Sequence, residues 1–181
     1  DYYMGYADPL DLRSDDTSIA VSTLLTDPTP DQHLIYIYAH DGTHQVTIGG
    51  DIGTGDSDLG SIASRGIALT ATEVFVSDYS NSAIKVFDRS TGAFKRKIGS
   101  YGTGNGQLIG PWQIDIDSNY LYVNDTGNNR MQAFLHDGTY VTKITGLNAP
   151  KGLRVTSAYI YVVDGGVAYQ GYRVRRYLKY G

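Results

Sequence analysis

Three times along this chain an alternating, strand-forming run ends in aspartate: Val74-Phe75-Val76-Ser77-Asp78, Leu121-Tyr122-Val123-Asn124-Asp125 and Ile160-Tyr161-Val162-Val163-Asp164. The aspartates stand 47 and 39 residues apart. That interval holds four short strands and their turns, so the chain reads as one supersecondary unit repeated. Such a unit cannot bury its apolar face alone and must pack on its neighbours. The period therefore limits the fold far more tightly than composition does.

The clearest unit spans residues 66–99, a second spans 113–146, and a third begins at Gly152. In the first of these, strands are expected at 67–70, 73–77, 83–88 and 93–98, from the period-2 alternation of half-buried sheet. A degenerate copy occupies 10–50. Its turn, Ala39-His40-Asp41-Gly42-Thr43, recurs as Leu135-His136-Asp137-Gly138-Thr139. Asp-Gly between alternating strands predicts a type I′ hairpin, in which both central residues take positive φ. The 22 glycines suit the many turns of such a plan. No segment shows amphipathic helix periodicity.

The third unit runs out after a strand at 172–178, while residues 1–6 form a spare extended segment at the start. The expected architecture is all-β: a four-bladed β-propeller of four-stranded antiparallel blades, one domain over residues 1–181. The blades fall near 10–50, 66–99, 113–146 and 152–181 plus 1–6, with the N-terminal strand completing the last blade. A variant has that strand complete the last blade of a neighbouring copy, by strand addition.

Within residues 101–134 the spacing of Gly102, Gly104, Gly106 and Gln107, then Pro111-Trp112, then Val123, Asp125, Thr126, Asn128, Asn129 and Arg130 resembles the NHL-repeat family. The resemblance is partial at Val76-Ser77-Asp78-Tyr79-Ser80-Asn81. It implies a β-propeller. Some members of that family are metal-dependent lyases acting on peptide ends, and some bind RNA through a basic face. The lyase histidine constellation is not recognisable here, since His40 and His136 are repeat equivalents on different blades. The basic runs Lys95-Arg96-Lys97 and Arg173, Arg175, Arg176 and Lys179 fall on outer strands, where charge is ordinarily a solvated, aggregation-resistant face. With a net charge of -4, this argues against a dedicated nucleic-acid binder.

The remaining chemistry is sparse. Without cysteine there are no disulfides or thiolate metal sites. No apolar run approaches the ~20 residues of a membrane span. Asp78, Asp125 and Asp164 read as anchors of the turn after the second strand, because a carboxylate there accepts backbone N–H groups. The loop carrying Asp51, Asp56 and Asp58 lacks the pattern of a calcium loop and aligns with the glycine-rich linker at 102–107. The glycosylation sequon Asn124-Asp125-Thr126 sits in a turn.

These observations point to a non-catalytic structural or interaction protein, extracellular or at the cell surface, with no cofactor and no metal. Its expected partners are proteins, above all other copies of itself, in an oligomer or filament. The motive is tyrosine, 16 residues in all, with Tyr2, Tyr3, Tyr6, Tyr172, Tyr177 and Tyr180 near the two ends as candidates for self-association. The alternative is a module that binds a peptide or glycan on one propeller face, through Trp112, Arg130 and Arg65. The third reading is an NHL-type lyase.

Overall fold

The computed structural model describes residues 7–25, 32–60, 63–165 and 171–179. They form four antiparallel sheets, each a meander in chain order. Sheet I contains β1 (Ala7–Ser14), β2 (Ser18–Leu25), β3 (Gln32–Ala39) and β4 (His44–Asp51). Sheet II contains β5 (Ala63–Leu69), β6 (Glu73–Asp78), β7 (Ala83–Asp88) and β8 (Phe94–Ile98). Sheet III contains β9 (Pro111–Ile116), β10 (Tyr120–Asp125), β11 (Arg130–Leu135) and β12 (Tyr140–Ile144). Sheet IV has three strands, β13 (Leu153–Val155), β14 (Tyr159–Asp164) and β15 (Arg173–Leu178). The strands match the sequence expectation to within a few residues, because period-2 alternation marks which positions a sheet buries.

The first strand of each sheet is the inner one. β1 lies beside β5, β5 beside β9, and β9 beside β13. Side chains tie these inner strands across the gaps. Asp11 Oδ2 accepts the Ile67 N–H at 2.9 Å, Gln113 Oε1 accepts that of Leu153 at 2.9 Å, and Asp115 Oδ2 that of Val155 at 2.7 Å.

Apolar residues fill the space between successive sheets. Ala20, Ile35, Ile37 and Ile48 of sheet I meet Ile67, Val74, Val76 and Phe87 of sheet II. Phe75, Ile84 and Val86 of sheet II meet Ile114, Leu121, Val123 and Phe134 of sheet III. Tyr122, Met131 and Ala133 of sheet III meet Leu153, Val155, Ile160 and Val162 of sheet IV. Each core is plugged by one leucine from the linker that crosses it: Leu59, Leu108 and Leu147.

Among the described residues no such core joins sheet IV to sheet I. The face of sheet IV opposite Ile160 and Val162 carries Tyr159, Tyr161 and Val163 on β14, paired with Leu178, Arg176 and Val174 on β15. Val174 and Leu178 are 67% and 65% exposed. The face of sheet I opposite Ala20 and Ile37 carries Leu12, Val21 and Tyr36 in one cross-strand row, and Leu12 is 61% exposed. The described residues therefore form a row of four sheets with three cores between them. The closing segment expected at residues 1–6 lies outside the described residues. β1 begins at Ala7, directly after it, whereas the other passages from an outer to an inner strand use residues 52–62, 99–110 and 145–152.

The recurring aspartates hold the linkers. Asp78 accepts Gly60 N–H at 3.3 Å, Asp125 accepts Ile109 N–H at 2.8 Å, and Asp164 accepts Asn148 N–H at 2.5 Å. Each grips the residue just after the linker leucine. All three carboxylates are fully buried and each meets a cation from the third strand: Lys85 at 3.3 Å, Arg130 at 2.7 Å, Arg173 at 2.9 Å and Arg175 at 2.6 Å. Burial pushes Asp164 upward, but Asn148 N–H, Arg173 and Arg175 outweigh it and hold the carboxyl below its ordinary value.

One turn differs from its expected type. Gly42 and Gly138 take positive φ, 87° and 100°, but Asp41 and Asp137 do not. The loop has three residues, closed by Ala39 N–H to Thr43 O and Leu135 N–H to Thr139 O, both 2.8 Å. Asp41 and Asp137 instead accept the N–H of Thr43 and Thr139, each at 2.8 Å. That side-chain bond favours a right-handed turn followed by a left-handed glycine over the I′ form.

Removing a buried carboxylate strands its cation in proportion to how deeply that cation is buried. Arg130 is nearly covered, with 6% of its side chain exposed, whereas Arg173 keeps 53%. Asp125→Ala is expected to cost about 3–5 kcal/mol, and Asp164→Ala less, about 1–3 kcal/mol, both read from urea unfolding.

Candidate functional site

Residues at one repeat position gather where the inner strands begin. Arg65 precedes Gly66 and the core residue Ile67; Trp112 precedes Gln113 and Ile114; Lys151 precedes Gly152 and Leu153. The repeat thus brings one side chain from each of three successive blades towards the axis. Gly66 permits the approach: a Cβ there would stand 2.5 Å from Ile114 N and 2.9 Å from Trp112 O.

In consequence the Arg65 guanidinium carbon lies 5.0 Å from the Trp112 ring centroid, and Lys151 Nζ lies 4.7 Å from it. Cations are drawn to the negative face of an indole, most strongly where water is partly excluded. Tyr79 meets the same ring edge-on at 5.6 Å. Gly110, at φ 55°, makes room for it, since a Cβ there would fall 2.6 Å from Tyr79 Cε2. Trp112, Arg65 and Lys151 are all half-buried. Among the described residues neither cation has a carboxylate partner, and Arg65 Nε is buried with no hydrogen-bond acceptor.

The expected binding set is therefore assembled in part. Trp112 and Arg65 come together. Arg130 does not join them as a ligand group: its Nε is bonded to Asp125, and its terminal nitrogens donate to the carbonyls of Thr103, Gly104 and Gln107 at 2.7–2.9 Å. All three of its nitrogens are engaged, so it fastens the glycine linker. Lys151 was missed in the sequence reading, although its place in Pro150-Lys151-Gly152, matching Pro111-Trp112-Gln113, was the signal for it.

At the opposite end of the inner strands a cavity of about 200 Å³ is lined by Arg13, Asp15, Ile67, Asp115 and Arg154 among others. Its charges are largely spoken for. Arg13 donates to Ile67 O at 3.0 Å, and Arg154 lies 3.6 Å from Asp115. Burial raises Asp11 above its usual value against the opposing pull of Arg13. Among the described residues no three histidine or acidic side chains are grouped to hold a metal ion, and no helix is long and apolar enough to cross a membrane.

The self-association candidates fare unevenly. Tyr172 is 67% exposed. Tyr177 turns inward and packs, partly buried, on the core between sheets III and IV, because it pairs with the buried Ile160. Tyr2, Tyr3, Tyr6 and Tyr180 lie outside the described residues.

A family model described as 6-bladed beta-propeller matches residues 52–147. No curated protein matches the sequence. Among solved structures the chain is similar to BamB from Moraxella catarrhalis, at 12% identity and a TM-score of 0.58, over 84% of this chain and 39% of that one. It is similar to a luciferin-regenerating enzyme at 13% identity and a TM-score of 0.67, over 96% of this chain and 62% of that one. It is also similar to a chain of a nidogen/laminin complex at 22% identity and a TM-score of 0.66, over 96% of this chain and 65% of that one. The chain thus spans between 39% and 65% of these three proteins. At such identities the likeness establishes the propeller fold alone.

Near the site, His33 is fully buried, with Nδ1 3.1 Å from Gly60 O. Burial, more than the opposing Gly60 bond and Asp78 charge, lowers its pKa below 6.5, and Arg65 pushes the same way. The unfolded chain then binds a proton that the folded chain refuses, so stability falls as pH drops below about 6.5 and levels off only once the native imidazole protonates. The urea midpoint is expected to be lower at pH 5.5 than at pH 7.5, with a smaller difference in His33→Gln.

Proposed function

This chain belongs to the family described as 6-bladed beta-propeller, and from that we propose that its four sheets are consecutive blades of a ring and that it works as a non-catalytic structural and interaction module. The observation that supports this is the pair of terminal faces. Sheet IV presents Tyr159, Tyr161, Val163, Val174 and Leu178 around Arg176, and sheet I presents Leu12, Val21 and Tyr36. Most of these residues are apolar, as in the faces that make the three buried cores, while Arg176 of sheet IV stacks on Tyr159 at 4.6 Å. A sheet face of that kind is stable when another element packs on it.

The occupant in this reading is another copy of the chain, joined sheet IV to sheet I in an oligomer or filament, outside the cell. Such a head-to-tail contact uses different patches on the two partners and extends unless its rotation closes. A blade count of four, completed by residues 1–6, and a count of six differ in what covers those faces. The NHL-like repeat of residues 101–134 lies inside the stretch that the six-bladed family matches. Likeness at 13% identity to a luciferin-regenerating enzyme carries the fold and not a reaction, so the proposal remains non-catalytic.

A second reading, a ligand-binding module, is favoured by one specific observation: Arg65, Trp112 and Lys151 converge without any counter-charge among the described residues.

Sedimentation velocity over a concentration series tests assembly. The chain is expected to associate with increasing concentration, and the double variant Val174→Asp, Leu178→Asp to sediment as a monomer. A wild-type monomer up to high micromolar concentration rejects the assembly reading.

A further inference from the structure

We propose that Arg65, Trp112 and Lys151 form a receptor for carboxylates of an acidic peptide. The inference deepens the ligand-binding reading above and is independent of the assembly reading. Two cations are held against one indole, at 5.0 Å and 4.7 Å from its centre. Like charges brought this close repel, and ordinarily a carboxylate lies between or beside them. Here none does among the described residues, although elsewhere in the fold Arg89, Arg96 and Arg130 each have one at 2.5–2.7 Å. The same fold that pairs its other buried cations leaves this pair open.

A second observation points the same way. Arg65 Nε is buried and has no acceptor. A buried donor without a partner is costly, and native structures nearly always supply one. An incoming carboxylate supplies it, since the guanidinium edge presents parallel N–H groups that match two carboxylate oxygens.

The geometry favours a peptide over the other anions. Sugar recognition on tryptophan needs a bare ring face, and here cations lie over the ring while Tyr79 meets its edge. Nucleic acid brings a dense row of phosphates to a chain of net charge -4, with only two free cations here to neutralise them. Two single charges fit two carboxylates. The cations are no farther apart than the sum of their distances to the shared ring centre, and carboxylates on alternate residues of an extended peptide stand about 7 Å apart, inside that limit. The site therefore suits acidic residues at i and i+2 of a strand-like segment.

Trp112 is the single tryptophan of the chain, so its emission reports the site directly. The full chain is titrated with hexaglutamate, with hexaglutamine as the uncharged control, far-UV circular dichroism verifying the fold of each variant. Hexaglutamate is expected to shift Trp112 emission saturably, with an effect that vanishes towards 1 M salt as screening shortens to about 3 Å. Arg65→Gln and Lys151→Gln are each expected to weaken binding about tenfold or more, the loss of one charge-assisted contact, and together to abolish it. Hexaglutamine binding as tightly as hexaglutamate overturns the carboxylate assignment while leaving a ligand site at Trp112. No response to either peptide overturns both the assignment and the ligand-binding reading. Folded double variants that bind hexaglutamate like the wild type place the peptide elsewhere and overturn the proposal.

Discussion

A buried carboxylate at the end of each second strand is the interaction on which this arc of sheets depends. Asp78, Asp125 and Asp164 each accept the N–H that follows the linker leucine, and each is neutralised by a lysine or arginine from the third strand. Such a group is stable only when its charge is paired and its lone pairs are occupied. Meeting both needs at once pins the linker over the blade it enters. The pinned linker then drives Leu59, Leu108 or Leu147 into the seam with the preceding blade. One polar anchor therefore sets the position of one apolar plug, and the plug seals the contact between sheets.

The linkers repeat this logic with different side chains. Gly53 N–H bonds to Leu59 O at 3.1 Å, and Gly102 N–H to Leu108 O at 3.2 Å. Inside the loops, Asp58 accepts Gly55 N–H at 3.0 Å and Gln107 accepts Gly104 N–H at 2.9 Å. The acidic loop at 51–58 is thus the counterpart of the glycine-rich loop at 102–107, and its acids serve the fold of the loop. Lys85 reaches into the first loop at Gly55 O and Asp58 O, as Arg130 and Gln132 reach into the second. The residues that most resemble a family signature, Asn128 and Arg130, are accounted for by this fastening. That is why Arg130, a binding candidate from sequence, is committed to the linker through all three of its nitrogens.

Equal spacing also creates the molecule's available surfaces. An inner-strand position that repeats is carried to the axis from each blade, so Arg65, Trp112 and Lys151 meet although 86 residues separate the first from the last. A sheet face that repeats is buried wherever another sheet follows and exposed where none does. The exposed Val174 differs from its repeat counterpart, the buried Met131, in having no sheet beyond it among the described residues.

From the sequence alone, the strands, their order, their alternating faces and the structural part played by the aspartates were legible, because each is written in local periodicity or in residue types next to a turn. The tertiary structure decided what depends on residues far apart in the chain. Ring closure, expected through residues 1–6, falls outside the described residues, and no local pattern encodes it, since closure requires two distant faces to find each other. The tertiary structure turned Tyr177 inward through its pairing with Ile160, and it spent Arg130 on the linker. It set Lys151 beside Trp112, because the close approach at Gly66 and the convergence of inner strands exist only once the sheets have packed.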